Sequence, residues 1–251
     1  MPNTLLEVRK NFVKLCGRLD LVIDTSAWVD NGANFFINAA QRWLDRKAES
    51  LNTITRYHKD VAIGAYSMAI PGLRVVDQVW VTTSELKWQL EKKTQTWLRE
   101  NYATSPMASI EKASPLYYAR TVTTLAPPQQ GLTDGGGTPY TAEFTRDFEG
   151  ITFGDSWSYT GLMWLPPTLE AVTITVYGKF YSKTLAVDAD KSYWTEDHME
   201  LLVAAAAMTV ESFYRNTEGY NDWLSVVNTY LHDLDVDLAD QESTDLGVIN
   251  G

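Results

Sequence analysis

Residues 201–210 of this 251-residue chain read LLVAAAAMTV, and this run governs how the terminal helices can pack. The segment has helical periodicity that continues to Tyr214. Thr195 is its predicted N-cap, and Glu196 would complement the positive end of the helix. The four consecutive alanines, Ala204–Ala207, give this part of the helix small side chains. We therefore expect another helix to approach it closely.

A last helix and an acidic segment follow this run, with Gly219 helping to separate the two helices. The last helix carries apolar residues at helical spacing, namely Trp223, Leu224, Val226, Val227, Tyr230, Leu231 and Leu234. Residues 235–251 contain no Lys or Arg, and we expect an extended tail that is poorly ordered when alone.

Two interpretations of this tail are open. It either promotes solubility or docks into a groove of a partner protein. In the second case its acidic residues would orient and steer the partner, and its apolar residues would enter small pockets. The acidic residues are Asp235, Asp237, Asp240, Glu242 and Asp245, and the apolar ones are Leu238, Leu246, Val248 and Ile249.

Two amphipathic helices are predicted near the amino terminus. Thr4 and Glu7 stand at capping-box spacing at the start of the first helix. Its apolar stripe consists of Leu5, Val8, Phe12, Leu15 and Leu19. Asp30 or Asn31 can cap the second helix. Its broad apolar face consists of Phe35, Phe36, Ala39, Ala40, Trp43 and Leu44.

The middle of the chain is rich in Thr, Tyr, Val and Ile and predicts strands. The strand candidates are Val172–Tyr181, Leu73–Thr83 and Leu116–Leu125. One helix, capped by Ser84 and continuing to Leu98, interrupts this region. Residues 126–167 contain several Pro and Gly residues and predict long irregular loops or a hairpin arm. Their role as a surface insertion or as an interaction loop is open.

These elements predict an α+β fold whose helical core is formed by both ends of the chain. The predicted parts are residues 1–51 and 191–234 for the helical core, residues 52–190 for an inserted β-rich module, and residues 235–251 for the acidic tail.

Composition limits the classes of function. Lys and Arg number 21 against 32 Asp and Glu, so the net charge of -11 disfavours nonspecific binding to DNA or anionic lipid. No uncharged apolar run approaches the roughly 20 residues that span a bilayer, and we expect no membrane partner and synthesis in the cytoplasm. The single cysteine, Cys16, excludes an internal disulfide and is typical of a small core residue.

No motif in the sequence supports catalysis, a cofactor or a metal. Gly135–Gly137 is followed by Thr and Pro rather than by the Lys of a P-loop. The three histidines, His58, His198 and His232, show no metal-ligand spacing. The best candidates for paired carboxylates are Asp147, Glu149 and Asp155 in the aromatic-rich insertion, although solvated surface carboxylates are the favoured interpretation. We therefore expect a protein that is not an enzyme.

Three blocks of the sequence resemble the adaptor proteins of tailed bacteriophages, the head-to-tail connector subunits that bind beneath the portal ring. They are TLLEVRKNFVKLCGRLDLVIDTSAWVDNGANFFINAAQRWLDRK at residues 4–47, YRNTEGYNDWL at residues 214–224, and DVDLADQE at residues 235–242. The resemblance implies a virion protein of the neck or tail, a homo-oligomeric ring of about twelve copies, and a carboxy-terminal extension that grips the portal.

The expected function is therefore a structural adaptor that joins portal to tail or nozzle proteins and lines part of the DNA channel without sequence-specific binding. Trp28, Trp43 and Trp223 are candidate ring contacts, because Trp is favoured at interfaces, although each also suits the core. The alternative is a carbohydrate-binding or carbohydrate-active phage module that uses the aromatic and acidic residues between Tyr140 and Trp164.

Overall fold

The computed structural model describes residues 3–48, 54–102, 110–124 and 158–247. The helices are α1 (Leu5–Cys16), α2 (Ala33–Lys47), α3 (Gln95–Tyr102), α4 (Tyr193–Glu196), α5 (Met199–Phe213) and α6 (Thr217–Gly247), with a 3-10 helix at Leu19–Leu21. The strands are β1 (Ile54–Val61), β2 (Ser67–Ala69), β3 (Leu73–Thr82), β4 (Lys87–Gln89), β5 (Glu91–Lys92), β6 (Tyr117–Thr124), β7 (Ser158–Leu165) and β8 (Val172–Phe180). The mixed α+β class is confirmed.

The chain divides into two compact units. The helical unit contains residues 1–53 and 181–251, and the β unit contains residues 54–180. The carboxyl boundary of the β unit thus lies at residue 180 rather than at the predicted residue 190. The reason is that residues 181–192, which we name the return segment, bind to α1 and α2.

Helix α5 is the centre of the helical unit and packs against α1, α2, α4 and α6. Every side chain from Leu201 to Met208 is buried. A helix that is apolar on all sides has to be covered on all sides, and the alanines leave room for its neighbours. Thr195 is not the cap of this helix, because it lies within α4, where its hydroxyl accepts a hydrogen bond from the Ser192 amide at 2.9 Å.

Helix α1 buries Leu5, Val8 and Phe12 of the predicted stripe, but not its last two residues. Leu15 and Leu19 are 52% and 55% exposed. Helix α1 ends at Gly17, which has the left-handed φ of 63° that glycine adopts at little cost, so the chain turns before Leu19 can continue the stripe. Arg9 is 2% exposed and donates to the Trp28 carbonyl at 2.7 Å.

Helix α2 carries a polar stripe, Asn38, Gln41 and Asp45, that holds the return segment. The Asn38 amide donates to the Leu185 carbonyl at 2.9 Å, and its carbonyl accepts from the Leu185 N–H at 2.8 Å. Gln41 donates to the Lys183 carbonyl at 2.8 Å. These bonds satisfy backbone groups of a segment that has no strand or helix of its own.

Asp45 is the enclosed carboxylate of the stripe, with 3% exposure. It accepts hydrogen bonds from the Trp194 indole at 2.7 Å, from the Ser182 hydroxyl at 2.8 Å and from the Ser182 amide at 2.9 Å. Its carboxylate therefore joins α2, the return segment and α4.

The β unit is built from two four-stranded sheets, ordered β1-β8-β3-β4 and β2-β7-β6-β5. Both sheets contribute to one hydrophobic cluster, which includes Val79, Ile174, Leu162 and Trp164. The second sheet also packs against α3, through Leu98. The strands at Leu73–Thr82, Tyr117–Thr124 and Val172–Phe180 confirm the three strand candidates to within one residue at each end.

The helix predicted from Ser84 to Leu98 is wrong from residue 84 to residue 94, which include β4 and β5, and only its last four residues lie in α3. Residues 83–86 form the turn between β3 and β4, because the Thr83 hydroxyl accepts hydrogen bonds from the amides of Glu85 and Leu86. Helix α3 begins only at Gln95, where the Thr94 hydroxyl accepts from the Trp97 amide at 3.1 Å.

The predicted insertion, residues 126–167, is described only from residue 158 onward. There β7 pairs with β6 in antiparallel register. The carboxylates Asp147, Glu149 and Asp155 lie outside the described residues.

The prediction of an extended acidic tail is wrong from Asp235 to Gly247, since this segment continues α6 without a break. Neither Gly nor Pro occurs between Gly219 and Gly247, and the leucines at 231, 234 and 238 keep helical spacing. Val248 and Ile249 lie outside the described residues.

We expect Asp45→Ala to destabilise the helical unit by about 3 kcal/mol, since it leaves three donors near the core without their acceptor. Urea unfolding followed by far-UV circular dichroism measures this change. Asp222→Ala, at an exposed position of α6, is the matched control. A decrease of less than about 0.5 kcal/mol in the free energy of unfolding of Asp45→Ala would contradict the stabilising role of the Asp45 carboxylate.

Candidate functional site

The helical unit exposes a group of touching aromatic rings, which we name the aromatic patch: Phe35, Phe36, Phe213 and Tyr214. The ring centroids of Phe35 and Phe36 are 5.2 Å apart, those of Phe36 and Phe213 are 5.5 Å apart, and those of Phe213 and Tyr214 are 5.4 Å apart. Phe35 and Phe213 are each 63% exposed, whereas Phe36 is 5% exposed. Phe36 thus anchors the patch to the core.

The positions of these rings follow from two helix ends. Phe35 lies in the first turn of α2 beside Phe36, and neighbouring helical residues point about 100° apart, so here Phe36 faces the core while Phe35 faces outward. Phe213 ends α5, and Tyr214 begins the connection to α6. The patch therefore combines residues that are distant in sequence.

Arg18 holds Tyr214 in place. Its guanidinium lies 4.1 Å from the centroid of the Tyr214 ring and donates to the Tyr214 hydroxyl at 2.6 Å. Arg18 also pairs with Asp20 at 2.7 Å. The hydrogen bonds to Asp20 and Tyr214 raise the pKa of Arg18, and the bond from Arg18 lowers the pKa of Asp20. The edge of the patch is therefore held by contacts within the helical unit.

An exposed group of large apolar rings is typical of an interaction surface. Aromatic rings bury large areas and lose few rotatable bonds on contact. Leu19, which follows Arg18 in the chain, is also exposed. The helical spacing predicted Phe35 on the buried face of its helix, whereas its ring is exposed.

The three tryptophans predicted as ring contacts are each half-buried and pack against the edge of the helical core. Lys14 lies 5.4 Å from the ring centroid of Trp28, and Lys47 lies 5.8 Å from that of Trp43. Within the described part of the chain, no ring contact joins Trp28, Trp43 or Trp223 to another of the three.

Helix α6 extends past Leu234, which is 7% exposed. Asp235 and Val236 are exposed. The part of the helix from Asp235 to Gly247, which we name distal α6, is about 20 Å long at 1.5 Å per residue. It has no basic residue in its last turn.

The residues considered for catalysis or metal binding do not converge in the described part of the chain. His58 lies exposed on β1, His232 lies exposed on α6, and His198 shares a hydrogen bond with the Tyr193 hydroxyl at 2.9 Å. Across residues 3–48, 54–102, 110–124 and 158–247, no group of three or more His, Cys, Asp or Glu residues could hold a metal ion.

No helix in these same ranges is long and apolar enough to cross a membrane.

No protein-family model matches the chain. No curated protein matches it either.

Cys16 lies at the end of α1, half-buried against the helical core. Burial chiefly, together with the negative charge of Glu211, raises the pKa of its thiol to about 11, against the opposing effect of Arg18. A thiol in this setting is a packing residue rather than a nucleophile.

We expect Cys16 to react slowly with an aromatic disulfide reagent at pH 8, because a raised pKa keeps the thiol protonated. The thiolate fraction should be about a hundredfold lower than that of an ordinary cysteine. The reaction rate of the folded chain, measured against pH, should still rise above pH 10, and the urea-unfolded chain is the control. A plateau near pH 9 in the folded chain would contradict the burial of the thiol.

Proposed function

We propose that this protein is a structural, noncatalytic subunit of the head-to-tail connector of a tailed bacteriophage, bound beneath the portal. The support is that the blocks of adaptor-like sequence, residues 4–47, 214–224 and 235–242, all belong to the helical unit. The first block contains α1 and α2, and the other two lie largely in α6. The resemblance thus concerns one compact body rather than scattered segments.

In this proposal the aromatic patch is a contact between neighbouring copies in a ring. A closed ring needs two different surfaces on each subunit that meet repeatedly. The exposed rings of Phe35, Phe213 and Tyr214 provide one of these surfaces, and Arg18 orients it. The resemblance implies a ring of about twelve copies.

Distal α6 is the proposed portal-binding element, and this is the observation that carries the proposal. Five acidic residues and no basic one occur from Asp235 to Gly247. Negative charge at the carboxyl end of a helix opposes the helix dipole, and like charges three or four residues apart destabilise a helix. A basic partner surface would remove this cost, so the charge pattern suits binding better than isolated stability.

A net charge of -11 disfavours adhesion of the passing DNA, since phosphates are repelled by acidic surfaces. The β unit would contact tail or nozzle proteins. The protein would be made in the host cytoplasm and function in the neck of the virion.

Native mass spectrometry with the portal protein of the phage that encodes this chain tests the assignment. We expect the full-length chain to add to the portal in a fixed multiple, and a variant ending at Leu234 not to add, because it lacks distal α6. The variant Asp235→Asn, Asp237→Asn, Asp240→Asn keeps the length of the helix and should bind at least about tenfold more weakly. If the full-length chain does not bind, the proposal is wrong.

The ring contact has its own test. We expect Phe35→Ser with Phe213→Ser to reduce assembly of copies on the portal by at least about tenfold, because two exposed anchors of a contact are lost. The number of bound copies against concentration measures the effect, and circular dichroism checks the fold. Leu86→Ser, at a 67% exposed position of the β unit, is the control. Unchanged assembly of the double variant would show that the aromatic patch is not part of the ring contact.

A further inference from the structure

A pocket of about 310 Å³ opens beside the base of distal α6. The pocket is lined by residues of two helices. They are His198, which precedes α5, Glu200 and Leu201 of α5, and Tyr230, Asp233 and Leu234 of α6. Leu201 and Leu234 are 3% and 7% exposed, and they provide an apolar floor. Glu200 and Asp233 are exposed. The pocket therefore combines apolar contact area with carboxylates near solvent.

The two carboxylates of the pocket have no paired cation among the residues that the structure describes. Within the described part of the chain, neither Glu200 nor Asp233 forms an ion pair or a side-chain hydrogen bond. Glu200 lies in the first turn of α5, where it offsets the partial positive charge of the helix end. Asp233 adds a second negative charge, so the pocket is acidic despite its position beside a helix start.

The aromatic side of the pocket is fixed by local contacts. The Tyr193 hydroxyl lies 2.9 Å from Nε2 of His198, and the two ring centroids are 5.1 Å apart. These contacts hold the imidazole at the pocket edge. Tyr230, which is 43% exposed, contributes a further ring. Aromatic rings attract cations through their π faces.

We propose that this pocket receives the side chain of an arginine or lysine from the protein that binds distal α6. The aliphatic stem of such a side chain would cover Leu201 and Leu234, and its charged head would meet Glu200, Asp233 and the Tyr230 ring. This inference rests on the proposed function, because it takes the portal as the basic partner. Asp233 and Leu234 immediately precede distal α6, so one basic surface can contact both.

The chemistry of the pocket is tested on the full-length chain without any variant. N-acetyl-arginine methylamide is titrated and followed by NMR at the methyl groups of Leu201 and Leu234. The citrulline analogue has the same shape without the charge. We expect the arginine probe to shift both methyl groups and the citrulline probe to bind at least about tenfold more weakly. Equal binding of both probes, or shifts elsewhere only, overturns the proposal.

The partner is tested with the variant Glu200→Gln, Asp233→Asn. We expect it to bind the portal at least about fivefold more weakly than the unmodified chain. The variant Glu218→Gln, Asp222→Asn removes the same charges from exposed positions of α6 outside the pocket and should bind normally. Normal portal binding by the pocket variant overturns this inference and leaves the proposed function standing. Failure of the unmodified chain to bind the portal overturns both.

Discussion

The hydrogen bonds between the polar stripe of α2 and the return segment are the constraint on which the helical unit depends. The chain leaves this unit after α2 and returns to it at residue 181. The two parts of the helical unit are therefore separated in sequence by the whole β unit. Apolar burial favours contact but is not directional. The bonds from Asn38, Gln41 and Asp45 specify one register. Buried polar groups without partners are costly, so a shifted register is strongly disfavoured.

The return segment is ordered by its own polar contacts as well. Asp190 accepts hydrogen bonds from Lys183 at 2.8 Å and from the amides of Ala186 and Val187 at 2.7 and 2.9 Å. These donors, with Lys183 first, hold the pKa of Asp190 well below its usual range. The carbonyl of Asp190 in turn accepts from the Leu5 amide at 2.9 Å. A segment without helix or strand thereby supports the first turn of α1.

This arrangement leaves other surfaces of the helical unit free for function. Helix α5 needs its whole circumference for packing, and α2 uses one side for α5 and another for the return segment. The start of α2 and the end of α5 then expose Phe35, Phe213 and Tyr214 together. Distal α6 lies beyond the last described core residue of its helix. The candidate binding surfaces are thus the parts of the helices that the core does not need.

Sequence periodicity by itself determined the mixed fold class, the three long strands and the helical character of both chain ends, because the alternation of apolar and polar residues depends on local geometry. It also identified distal α6 as acidic, though not as a helix. Only the tertiary structure decided that Phe35 and Leu15 face outward, that Asp45 is enclosed, and where the pocket beside Asp233 lies. Periodicity tells which residues share a side of a helix, whereas the side that is covered depends on elements far away in the chain.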